Sequence, residues 1–142
     1  MSNIRRDILR DWNVLVVEDE PDSLEVATRV LRFYGANVLA ANNGKQALEK
    51  LREERPHFVI SDLSMPVLDG WGLMRELKKD SRLMDIPVIA LTAHALPGDR
   101  DRALEAGFRN YLTKPLTTAT FMNQLLALLL EIPVLAVQLQ FS

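Results

Sequence analysis

The chain has 142 residues, 48% of them apolar and 25% charged, with a formal net charge of -2. That length suits one domain with one core, and the composition excludes disorder or a fibrous repeat. No Lys and Arg cluster stands ready to neutralise phosphates, so nucleic acid is not an expected partner, and the absence of cysteine excludes disulfides and thiolate metal sites.

The chain opens MSNIRRDILRDW, which lacks the uninterrupted apolar stretch of a secretory signal. Ile4, Ile8 and Trp12 suit a short amphipathic lead-in helix or a fraying end. Short runs rich in Val, Ile and Leu follow at 14–17, 38–41, 58–60, 88–91 and, weakly, 111–112. They are nearly continuous, as strands buried in a parallel sheet require.

Helical patterns lie between these runs. Asp22 and Ser23 offer caps after Pro21, and Leu24, Ala27, Leu31 and Tyr34 form a stripe that Gly35 stops. Residues 44–54 read as a second helix ended by Pro56. A third starts near Gly70, where Asp69 can cap it, a fourth runs from Asp99 to Ala106, and Thr117 or Thr118 can cap a fifth containing FMNQLLALLL. Strand alternates with helix five times, which argues for an α/β fold with a parallel sheet covered on both faces.

The longest apolar stretch, LLALLLEIPVLAV, is broken by Glu131 and Pro133 and is shorter than the ~20 residues that span a bilayer. A soluble protein with no membrane contact is therefore expected. In the tail, Leu135, Val137, Leu139 and Phe141 alternate with Ala136, Gln138, Gln140 and Ser142. This period of two predicts a half-buried strand added to a sheet edge or a dimer partner, against the alternative that the tail packs on the fifth helix.

In open sheets ligands gather outside the carboxyl ends of the strands, near the point where strand order reverses. Glu18 and Asp19 end the first strand, Asp62 the third and Thr92 the fourth, while the fifth leads into Lys114. Crowded carboxylates resist ionisation unless a cation compensates, and hard oxygen ligands favour Mg²⁺. With a hydroxyl and a lysine beside them, they suit a phosphoryl group and a carboxylate able to accept it.

VLVVEDE, VISDLSMPVLDGW, PVIALTAHA and NYLTKPL, in this order and spacing, resemble the receiver domain of bacterial response regulators over about residues 13–131. The resemblance implies a flavodoxin-like doubly wound sheet of order 2-1-3-4-5, flanked by an extension at 1–12 and an apolar tail at 132–142. It implies that Asp62 accepts a phosphoryl group from a phosphohistidine of a histidine kinase or histidine phosphotransfer protein. It further implies Mg²⁺ held by Glu18, Asp19, Asp62 and the Ser64 carbonyl.

By the same resemblance Thr92 and Lys114 meet the phosphoryl group, Thr92 and Tyr111 form the switch, Ala93 leaves the group accessible, and the Lys114–Pro115 bond is cis. Ser64 and His94 occupy positions that vary among receivers and tune phosphoryl lifetime. A cytoplasmic signalling switch is implied, which acts through a downstream target protein and is not a classical enzyme. A homodimer contact through the fourth helix, fifth strand and fifth helix, or through the tail, is compatible with this reading.

Two other classes remain for comparison. An aspartyl-nucleophile phosphohydrolase generally needs another acid two residues after the nucleophile, where this chain has Ser64. A scaffold that never carries phosphate would not need the site residues. Trp12 and Trp71 read as packing residues, and His57 and His94 show no metal-ligand spacing.

Overall fold

The computed structural model describes residues 4–93 and 96–140. In chain order the elements are β1 (Asn13–Val17), α1 (Pro21–Phe33), β2 (Asn37–Ala41), α2 (Gly44–Glu53), β3 (Phe58–Asp62) and α3 (Gly70–Lys79). They continue with β4 (Val88–Thr92), α4 (Asp99–Ala106), β5 (Asn110–Thr113), α5 (Phe121–Leu130) and α6 (Pro133–Gln140). All strand pairs are parallel, in the order β2-β1-β3-β4-β5. The order reverses between β1 and β3, so the carboxyl ends of these two strands flank a natural crevice.

Alternate residues of the central strands feed two cores. Val14, Val16, Phe58, Ile60, Ile89 and Leu91 pack with α1 and α5, through Ala27, Leu31, Phe121 and Leu125. Leu15, Val17, Val59, Val88 and Ala90 pack on the opposite face with Ala47, Leu51, Leu73, Leu77 and Phe108. Every residue of β3 and β4 is buried. β2 is the exception to the expectation of burial on both faces: it is an edge strand, and only Val38 and Ala41 are buried.

Helix ends follow local chemistry. Asn43 and Asp69 accept from the backbone N–H groups of Gln46 and Gly72 at 2.9 and 2.8 Å, capping α2 and α3. Gly35, with φ of 101°, takes the left-handed conformation that closes α1. The cap of α1 differs from expectation. Glu20 is its N-cap residue, Pro21 fills the first helical position, and Asp22 and Ser23 lie inside the first turn. The cap of α5 also differs, since Thr120 and not Thr117 or Thr118 is its N-cap residue, while Thr117 organises the turn before it, its Oγ1 accepting from the Thr120 N–H at 3.3 Å.

Both flanks join the first core. Leu9 and Trp12 are buried within it, and the Leu9 N–H donates to the Tyr34 carbonyl at 2.9 Å. This lead-in is a series of turns and not a regular helix. The tail corrects the strand expectation, because residues 133–140 form α6 and pack against α5. Leu135 and Leu139, four apart, are buried with Ile132, whereas Val134 and Val137 are exposed. Apolar residues at 135 and 139 satisfy a helical period as well as an alternating one, and Pro133 suits a first helical turn. Phe141 lies outside the described residues. Among those described, no single helix is long and apolar enough to cross a membrane.

Candidate functional site

Strand register delivers the site. Val17 pairs with Ser61 and therefore sets Glu18 alongside Asp62. Asp62 pairs with Leu91, and Thr92 pairs with Thr113, which brings Thr92 and Lys114 to the same end of the sheet. The Lys114 N–H donates to the Thr92 carbonyl at 2.7 Å, tying the two loops together. The Lys114–Pro115 peptide is cis, as expected.

Glu18 and Asp62 are buried, and Asp19 is exposed at the rim. One carboxylate oxygen from each lies within 4.8 Å of the other two. The Lys114 ammonium stands 2.7 Å from Glu18 Oε1 and donates to Asp62 Oδ2 at 2.9 Å. The Ser64 N–H donates to Asp62 Oδ1 at 3.1 Å, so both acceptor oxygens are engaged. Gly70 makes this possible, since a Cβ there would come 2.3 Å from the Asp62 carbonyl oxygen.

The electrostatics follow from burial and crowding. Burial first, and then the neighbouring Asp62 carboxylate, push Glu18 up to about 7 against the opposing pull of Lys114. Burial depresses the Lys114 ammonium, but Glu18 and Asp62 outweigh it and leave that group raised. Glu18 Oε1 has the ammonium near it but no aligned hydrogen-bond donor. A buried carboxylate oxygen left in this state, within a cluster of three acids, fits a hard divalent cation.

The other expected residues lie around this centre. Thr92 is buried and borders a cleft of about 370 Å³ with Ser64, Trp71, Leu96 and Arg102. Tyr111 is half-buried and lines a groove between β5 and α5 with Gln124, Leu128 and Glu131. Ala93 is exposed, whereas His94 lies outside the described residues. Asp69 borders the same cleft as Thr92, but its Oδ1 accepts from the Gly72 N–H at 2.8 Å as the cap of α3, and it is not one of the three converging acids. His57 Nδ1 accepts from the Asn13 N–H at 2.9 Å while its ring stacks on Trp12, at the far end of the sheet.

One participant escaped the sequence reading. Glu20 Oε1 lies 3.6 Å from the Lys114 ammonium and accepts from the Ser23 hydroxyl at 2.6 Å. The available signal was the third acid in VLVVEDE with a hydroxyl three positions later.

The family model for the response regulator receiver domain matches residues 14–126. The chain is a response regulator receiver domain. The receiver is 44% identical over 110 residues to an uncharacterized 14.6 kDa protein of Leptolyngbya boryana, covering 75% of this chain and 82% of that one. It is 32% identical over 111 residues to the polar-differentiation response regulator DivK of Brucella anthropi, covering 78% and 90%.

Among solved structures it resembles the receiver domain of the sensor histidine kinase PA1611 from Pseudomonas aeruginosa, with 36% identity and a TM-score of 0.73. That match covers 82% of this receiver and 96% of the other, whose structure has a magnesium ion coordinated in the active site cleft. The receiver is thus a module of two-component signalling, with an acidic pocket able to hold Mg²⁺. Its flavodoxin-like order 2-1-3-4-5 agrees with the resemblance.

Proposed function

We propose that Asp62 is the phosphoacceptor of this receiver. The observation that carries the reading is the Asp62 carboxylate at the end of β3, with Lys114 at 2.9 Å and oxygens of Glu18 and Asp19 within 4.8 Å. In the transfer an Asp62 oxygen forms a bond to phosphorus, the phosphorus–nitrogen bond of a partner's phosphohistidine breaks, and the imidazole keeps the electron pair. The partner is a histidine kinase or histidine phosphotransfer protein.

Glu18, Asp19, Asp62 and the Ser64 carbonyl would hold Mg²⁺, which supplies charge neutralisation for the arriving phosphoryl oxygens. Lys114 leaves Asp62 to pair with the phosphoryl group, and the Thr92 hydroxyl donates to it. Phosphorylation adds about two negative charges beside Lys114. Thr92 and Tyr111 then repack the surface of α4, β5 and α5 for a downstream target, so the output is a binding surface and not turnover. Residues 13–131 constitute the signalling unit, working in the cytoplasm, with the two flanks as packed extensions.

Acetyl phosphate with Mg²⁺ tests the assignment by intact-mass measurement. Wild type gains one phosphoryl group and Asp62→Asn gains none. Equal labelling of both proteins would sink it.

A further inference from the structure

The Lys114 ammonium occupies ground that a divalent cation also needs. It stands between Glu18 and Asp62, two of the three acids whose oxygens converge. A divalent cation drawn to the same oxygens repels the ammonium and displaces it from one or both partners. The displaced charge needs another carboxylate nearby.

Glu20 is placed for that task. Its Oε1 is already 3.6 Å from the ammonium, outside the trio that converges on the cation position. The carboxylate is held in this direction by the Ser23 hydroxyl at 2.6 Å, and Ser23 is buried in the first turn of α1. Its backbone is held too, because the Glu20 N–H donates to Glu18 Oε2 at 3.2 Å and Pro21 follows. A rim glutamate with a free side chain would not be kept over the lysine in this way.

We propose that Glu20, oriented by Ser23, is a positioning residue that receives the Lys114 ammonium when a divalent cation takes over Glu18 and Asp62. The inference rests on reading that acidic cluster as the Mg²⁺ site. Glu20 keeps the lysine at the mouth of the pocket, where it can next meet a phosphoryl oxygen. Without Glu20 the ammonium either stays and competes with the cation or leaves for solvent. Both routes weaken cation binding.

Calorimetric titration of Mg²⁺ at low salt, with no phosphodonor present, tests this on wild type, Glu20→Gln and Ser23→Ala. Glu20→Gln weakens Mg²⁺ binding about two- to fivefold, the scale of a rim ion pair. Ser23→Ala keeps every charge and weakens binding in the same direction. In ¹⁵N-edited NMR the Lys114 ammonium signal persists in Mg²⁺-saturated wild type and is lost to solvent exchange in both variants, while urea midpoints of the metal-free proteins match.

Wild-type affinity in both variants overturns the proposal, and so does loss of the ammonium signal from Mg²⁺-saturated wild type. Weakening by Glu20→Gln alone shows a through-space charge effect and also overturns it. Because no phosphodonor enters, failure of Asp62 as acceptor would be seen separately, in the mass measurement.

Discussion

Lys114 donates to Asp62 at 2.9 Å although 52 residues separate them in the chain. The contact joins the ends of β3 and β5, strands that are not neighbours in the sheet. Its removal leaves Glu18 and Asp62 facing each other with no cation between them.

Lys114→Met should therefore destabilise the metal-free receiver by about 3 kcal/mol at pH 8, because an ion pair of low exposure loses one partner. Millimolar Mg²⁺ should restore part of that loss by binding the folded state alone. Urea unfolding with and without the cation measures both effects. Equal stability of the two proteins at pH 8 would show that the pair is solvated.

Glu18 gives the metal-free receiver a specific pH dependence. Its carboxyl group titrates near 7 when folded and near 4.5 in its ordinary state, chiefly because of burial. Between these values the folded protein holds a proton that the unfolded chain has released, so stability falls as pH rises through the window and then levels off. Glu18→Gln should abolish this slope and be the more stable protein above pH 7. Thermal melts from pH 4.5 to 8 in a chelator would show it, and saturating Mg²⁺ should suppress the slope in wild type by favouring the carboxylate.

Gly70 and Asp69 are neighbours with separable effects. Gly70→Ala would drive a Cβ against the Asp62 carbonyl, so the loop carrying Ser64 must shift and Mg²⁺ affinity should fall. Asp69→Ala removes only a helix cap, for about 1 kcal/mol of stability, and should leave phosphorylation by acetyl phosphate intact. The pair of variants needs one unfolding curve, one mass measurement and one Mg²⁺ titration each. Loss of phosphorylation in Asp69→Ala would contradict its assignment as a cap.

Truncation after Ile132 should cost several kcal/mol, since burial of Leu135 and of Leu139 contributes about 2 kcal/mol each. Sedimentation of the same variant addresses the tail as a dimer contact. An unchanged urea midpoint would mean that α6 does not hold its place on α5.

The central sheet was legible because β3 and β4 are buried along their whole length, which leaves a continuous apolar signal ending in a polar residue. Glu18, Asp62, Thr92 and Lys114 could be found for the same reason: each follows a run built for burial. In the tail the alternative of packing on α5 is the one that forms. The strand pattern misled because Leu135 and Leu139 fit both periods, and contact with the first core, remote in sequence, decides between them. Glu20 was passed over because its partner Lys114 is distant in the chain and only the fold brings them together. Local rules likewise put the α1 cap too late, since Pro21 favours a first helical position and shifts the boundary to Glu20.

The strand ends opposite Asp62 are built differently. There Trp12 stacks on His57, and Val134 and Gln138 of α6 border the same clefts as His57, Pro87 and Arg109. The amino ends of the strands thus carry an aromatic stack and the tail helix, while the phosphoacceptor site occupies the opposite end. Trp12→Ala would therefore cost the fold about 3 kcal/mol without touching a single group that meets the phosphoryl donor, which separates the stability of the receiver from its chemistry.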